Sequence, residues 1–271
     1  MNRSASGEKG VSWASKKALP WIIPLLLLLI WVVISELKLT TPYLFPHPLN
    51  IAESAYFYIF GNPVDGPYAG RFINDVSYSI LRVSIGFGIA AFLGIPLGIL
   101  SGRLKSFQLF ISSTLNAIRA VPGICWLPLA LVWFGIGIKT TVFLVALAAF
   151  FPIYINSASG ARLINPLLYQ SGAMMGVGKI RGIYAILLPA AMPQIITGLR
   201  LGLGIAWAYL VLGELTGVPD GLGAVIMDAR MLGRIDIILV GVIIIAVLGR
   251  ISDLSLKAVL RLCFKSARRT Y

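Results

Sequence analysis

Gly176-Val177-Gly178-Lys179 sets two glycines against a lysine inside the stretch LLYQSGAMMGVGKIRGIYAILLP, Leu167 to Pro189. Such residues suit a phosphate loop, whose backbone N–H groups surround phosphates while a Ser or Thr hydroxyl meets magnesium. That loop needs G-x-x-x-x-G-K-[ST]. Here Ala173 stands five positions before Gly178 and Ile180 follows Lys179, so the first glycine and the magnesium hydroxyl are both missing. The upstream segment is an apolar run, not a strand. GIGIKT, Gly135 to Thr140, fails on spacing, and GFGIAA from Gly86 mimics a dinucleotide fingerprint only inside an apolar stretch. Small residues there suit close helix packing instead. His47, the single histidine, sits between Pro46 and Pro48, and the two cysteines, Cys125 and Cys263, are too sparse to argue for a disulfide. No catalytic set and no metal site is expected.

The elements that hold these residues are set by composition. Of 271 residues 58% are hydrophobic and only 12% charged, and the mean hydropathy is +0.89. A soluble domain carries about 25% charge. Uncharged runs reach from Val83 to Gly102, Ala120 to Ile138 and Thr140 to Gly160. A hydrocarbon core needs about 20 apolar helical residues, so this is an all-α polytopic membrane protein. Six spans are expected, over 18–37, 77–101, 107–134, 138–160, 190–213 and 236–258. The first, after Arg3, Lys9, Lys16 and Lys17, lacks a small-residue cleavage site and is read as a retained span. The third contains Pro122 and Pro128 and should be broken there, facing protein or a cavity. The turn-rich loop after the first span is expected outside, with a short interfacial helix at 51–60.

Basic residues orient the chain. Arg3, Lys9, Lys16, Lys17, Arg103, Lys105, Arg162, Lys179, Arg181 and the group from Arg250 to Arg269 fall on one side. That side is cytoplasmic by the positive-inside rule, with both termini in it. The net charge of +13 is therefore a topology and headgroup signature. A nucleic-acid partner is excluded because no soluble basic module exists. The division expected is a cytoplasmic tail (1–17), a transmembrane domain (18–265) with a coupling loop at 161–186, and a basic tail (266–271).

Within that loop, Asn165-Pro166 is a helix start, Asn as N-cap and Pro at the first helical position. A short helix should follow and end near Gly176. Beyond it GIYAILLPAAMPQIITGLR enters the membrane. A short cytoplasmic helix joined by a glycine turn to a membrane helix is a lever on which a partner can push.

This segment resembles the loop motif of bacterial ABC importer permeases, E-A-A, three residues, G, nine residues, I-x-L-P. Gln170-Ser171-Gly172 stand at the E-A-A positions, Gly176 is the motif glycine, and Ile186-Leu187-Leu188-Pro189 completes it. LRVSIGFGIAAFLGIPLGILSG, RAVPGICWLPLALVWFGIG, FFPIYINSASGAR, PQIITGLRLGLGIAWAYLVLGEL and GLGAVIMDAR also look like the permeases for nitrate, sulfonate, taurine and bicarbonate. The resemblance implies a type I, MetI-like fold of about six transmembrane helices in a bacterial inner membrane. It implies a homodimeric pathway, two cytoplasmic ATPases and a periplasmic or lipid-anchored binding protein. ATP and magnesium would belong to the ATPases, and this chain would have no cofactor and catalyse nothing. The coupling residues would be Gln170, Ser171, Gly172, Met175, Gly176, Lys179 and Arg181. Gln170-Ser171-Gly172 depart from Glu-Ala-Ala: the charge is lost, and Gly172 weakens a helix by up to ~1 kcal/mol relative to alanine.

For the pathway the candidates are Arg119, Pro122, Trp126 and Arg200. Arg82 and Glu214 have structural readings as well. Ionisable residues in spans are functional by default, but those near an interface also snorkel to headgroups. Trp126 and Trp133, seven apart and on one face, either line a cavity or pack. Glu214 either meets the binding protein or pairs with Arg230. An anion would suit the arginines. The sulfonate and taurine branch is favoured through WFGIG and FFPIYIN, with nitrate or bicarbonate as the alternative. A secondary anion transporter is a further alternative, though no matching halves are visible.

Overall fold

A computed structural model describes residues 13–37, 41, 44–62, 64 and 66–263. Most of the first predicted tail and all of the basic tail, with Lys265 before it, lie outside the described residues. Among the described residues all regular structure is helical.

The elements are α1 (Trp13–Glu36), α2 (Pro48–Phe60), α3 (Phe72–Arg103), α4 (Lys105–Ala120), α5 (Trp126–Phe134), α6 (Ile138–Arg162), α7 (Pro166–Met174), α8 (Lys179–Gly182), α9 (Leu188–Glu214), α10 (Leu222–Met231) and α11 (Ile235–Cys263). A π-helical turn, Ile183–Leu187, joins α8 to α9. Among the described residues four spans are long and apolar enough to cross a membrane: Phe72–Arg103, Ile138–Arg162, Ile183–Glu214 and Ile235–Leu262. The broken pair α4 and α5 makes a fifth, bent by 83°. The described apolar part of α1, Ile22–Glu36, is shorter than these.

The bend corrects one expectation. The chain leaves helix at Val121 and re-enters through a 3-10 turn, Gly123–Cys125, so Pro122 sits in the break. Pro128 does not break anything. It lies in the first turn of α5, where its missing N–H would have had no helical partner. The loop helix is α2, three residues longer than expected at its start. Pro48 opens it and His47 caps it, Nδ1 accepting the Leu49 N–H at 3.2 Å.

The core is a three-helix sandwich of α3, α6 and α9. Gly86, Ala90, Gly94, Gly98 and Gly102 recur every four residues along α3 and form one face. A Cβ at Gly86 would stand 2.6 Å from Val145, and one at Gly98 2.6 Å from the Tyr154 carbonyl. The dinucleotide-like GFG is thus a packing seam, in which small residues let backbones touch. On the other side of α6, Gly198 and Gly202 of α9 meet Pro152–Ile153 and Ala149–Ile153 in the same way. Ile153, buried completely, is shared by both seams.

Candidate functional site

The segment around α7 is built locally. Asn165 Oδ1 accepts the Leu167 N–H at 2.9 Å, and Pro166 opens α7. At the other end Val177 N–H bonds the Gly172 carbonyl at 2.9 Å and Gly176 N–H the Ala173 carbonyl at 3.0 Å. These two bonds form a Schellman close. Gly176 carries it with φ of +76°, a conformation costly for a residue with a Cβ.

Gly172 is the only buried residue of α7, and a Cβ there would collide with the tip of the Ile186 side chain. Ile186 belongs to the I-x-L-P run. The glycine therefore brings α7 against the π-turn that leads into α9, joining a short loop helix to a membrane helix by contact. Tyr169 ties α7 to α3, its ring 4.0 Å beneath the Arg103 guanidinium. Burial pushes the Tyr169 phenol up, and the Arg103 charge opposes that shift. The rest of α7 is bare: Leu167, Leu168, Gln170, Ser171, Met174 and Met175 are exposed, Met174 at 88%. Arg181 is exposed on α8 beside it, and Lys179 begins that helix.

The opposite end of the sandwich is closed by ions. Glu214, wholly buried at the end of α9, accepts from Arg82 Nη1 at 2.7 Å and Ser79 Oγ at 2.8 Å. It also accepts the Gly223 N–H at 2.8 Å, while Ser79 Oγ accepts the Leu222 N–H. Asp75, equally buried, accepts from Tyr58 and from the Gly221 N–H. Arg82 also donates to the Asp220 carbonyl at 2.6 Å. The unpaired N–H groups at the start of α10 are therefore met by carboxylates and a hydroxyl, as the helix dipole favours. Gly221, at φ +121°, admits no Cβ, because the Glu214 carboxylate and Arg82 occupy its place. The sequence offered Arg230 as the Glu214 partner; the partner is Arg82, and Glu214 is inside rather than at the surface.

The pathway candidates separate. Arg119 and Trp126 line one cleft of about 310 Å³ with Phe151, Ile155, Ile205 and Tyr209. Pro122 lies in the break between two of its lining residues, Val121 and Gly123. Arg200 is elsewhere, its Nε 2.8 Å from Asp253 of α11, a carboxylate that Lys257 also reaches at 3.1 Å. Trp133 does not follow Trp126 into the cleft but packs edge-on against Phe134 and Phe143.

Residues 94–263 match the family described as binding-protein-dependent transport system inner membrane component. A candidate aliphatic sulfonates transport permease protein, SsuC, of Bacillus subtilis is 35% identical over 93% of this chain and 87% of that protein. The taurine transport system permease protein TauC of Escherichia coli is 29% identical over 87% of this chain and 84% of its own length. The nitrate import permease protein NrtB of a Synechocystis strain is 28% identical, covering 89% and 87%. A solved structure of the MetNI methionine ABC transporter in inward facing conformations aligns with a TM-score of 0.56 at 19% identity, over 69% of this chain and 95% of that one. That likeness carries the MetI-like fold.

Proposed function

The chain belongs to the family of binding-protein-dependent transport system inner membrane components, and from that premise we propose how this permease works and what it carries. As an ABC importer permease it forms a multi-pass membrane pathway, and ATP hydrolysis lies with separate ATPase subunits.

Coupling runs through α7. The observation that carries this is the docking of Gly172 on Ile186, which makes α7 and the head of α9 move together. The ATPase groove receives the exposed face, with Gln170, Ser171, Met175 and Gly176 in contact and Lys179 and Arg181 at its rim. Methionine suits such a face, being apolar and easily reshaped. ATP and magnesium bind in the ATPases, and their closure swings α7 and alternates access. Two copies of the chain enclose the pathway at Arg119, Pro122 and Trp126. A binding protein delivers substrate to the outer face, and both termini lie in the cytoplasm.

The substrate is a small anion of the aliphatic sulfonate or taurine type. Support comes from the 35% and 29% identities to relatives named for those compounds. Nitrate import is the competing reading, supported by 28% identity to NrtB over a similar length.

Co-purification of the tagged chain with its ATPase subunit tests the coupling. Wild type should carry the ATPase through detergent elution, Gly176→Arg should lose it, and Gly176→Asn should keep it because Asn tolerates positive φ. No ATPase with wild type, while the chain alone moves anions down a gradient, would replace the importer by a secondary transporter.

A further inference from the structure

Arg119 differs from Arg82 and Arg200, the ion-paired arginines within α3 and α9. Arg82 is held by Glu214 and Arg200 by Asp253. Among the described residues Arg119 has no ion-pair or hydrogen-bond partner. It projects instead into a cleft whose lining contains no carboxylate. The cleft lies deep, since its α6 wall, Leu147 to Ile155, is the middle of the 138–162 helix. An unneutralised guanidinium at that depth is costly unless an anion or water meets it.

Below it lies a second cleft of about 290 Å³, which shares Ile155 with the first. Gln108, Ser112, Asn116, Ser159 and Arg162 line it, again without a carboxylate. Gln108, Ser112, Asn116 and Arg119 follow one another at four, four and three residues along α4. That spacing sets them on one helix face. No residue of α4 is fully buried; along this face Gln108 and Ser112 are half-buried and Asn116 and Arg119 exposed. Amide and hydroxyl groups there can donate hydrogen bonds, and Arg119 and Arg162 stand at the two ends.

We infer that the polar face of α4, from Arg119 down through Asn116, Ser112 and Gln108, together with Arg162 at the end of α6, is a ladder of hydrogen-bond donors along which a small oxyanion leaves the aromatic cleft for the cytoplasm. It deepens the importer reading and rests on it. Each rung replaces part of the hydration shell of a sulfonate-like or nitrate-like group, and the two cations repel inorganic cations. The aromatic walls at Trp126, Phe151 and Tyr209 accommodate an apolar tail at the upper end only. The lower rungs are therefore indifferent to the tail and read the charged head.

The test uses the assembled complex with Cys125→Ser and Cys263→Ser removing the native thiols and Asn116→Cys, an exposed position, as reporter. Two methanethiosulfonate probes are compared, one carrying a sulfonate and one a quaternary ammonium, each normalised to its rate with free cysteine. The sulfonate probe should react at least about tenfold faster, as unscreened cations nearby dictate. Adding Arg119→Gln should shrink that preference several-fold, and Arg119→Lys should restore it. Equal rates, or faster reaction of the cationic probe, overturn the ladder even when ATPase co-elutes normally. Failure of ATPase to co-elute with the parent complex overturns the importer reading itself and the ladder with it.

Discussion

The two ends of the α3–α6–α9 sandwich are built on opposite plans. At one end Asp75, Ser79, Arg82 and Glu214 are buried; Ser79 and Arg82 bond Glu214, and Asp75, Ser79 and Glu214 each take an N–H at the head of α10. At the other, α7 buries a single glycine against Ile186 and leaves two methionines and two leucines in the open. The first end has every reason to stay put, since moving it strands charges. The second keeps its own helix intact by caps while remaining lightly attached. On the proposed coupling, the first end is the fulcrum and the second the handle.

Breaking the fulcrum should have the largest effect. Glu214→Ala leaves Arg82 buried and unpaired, which costs about 3–5 kcal/mol, read as a large fall in thermal stability of the detergent-solubilised chain. Arg82→Met combined with Glu214→Leu should recover most of that loss, because removing both charges avoids the stranded ion. Gly221→Ala comes next. It combines the strain of a nearly Gly-only backbone region, about 1–3 kcal/mol, with a clash against the Glu214 carboxylate, so it should exceed the strain alone. It should do so without touching ATPase association.

At the handle the effects on stability are smaller. Asn165→Ala removes one capping bond and should cost about 0.5–2 kcal/mol locally, visible as faster hydrogen exchange at Leu167 with the global melting temperature unchanged. Met174→Ser with Met175→Ser should leave stability within about 0.5 kcal/mol, as exposed substitutions do, yet reduce the ATPase co-eluting with the chain. A stable variant with unweakened association would mean that α7 is not the docked face.

The two ends also differed in how far they could be read in advance. The handle is written in consecutive residues: Asn165-Pro166 starts α7, Gly176 ends it, and Ile186 to Pro189 follows at the family's distance. Five of the six expected spans were equally plain, because uncharged runs of spanning length have few other uses; the described part of the first is too short to cross. The fulcrum was not legible. Arg82 and Glu214 are 132 residues apart, and Asp75 meets Gly221 across 146, so no local pattern pairs them. The glycines of GLGAVIMDAR could have pointed there, had they been read as room for a carboxylate. The place of Gly172 was half read, as a weakness in a helix rather than as the space Ile186 fills. The α4 stripe has plain helical spacing, but Gln108, Ser112 and Asn116 do not by themselves tell a lining face from a solvated one.

Crosslinking from each end in turn tests the fulcrum and handle most directly. In the Cys125→Ser, Cys263→Ser background, Met175→Cys places a thiol on the exposed face of α7, and Val64→Cys places one on the 95% exposed loop at the other end. A short bifunctional thiol reagent applied to membranes containing the whole transporter should join Met175→Cys to the ATPase subunit, with a yield that changes when ATP binds. Val64→Cys should give no such product. A crosslink from both positions, or from Val64→Cys alone, would contradict the assignment of the handle to α7.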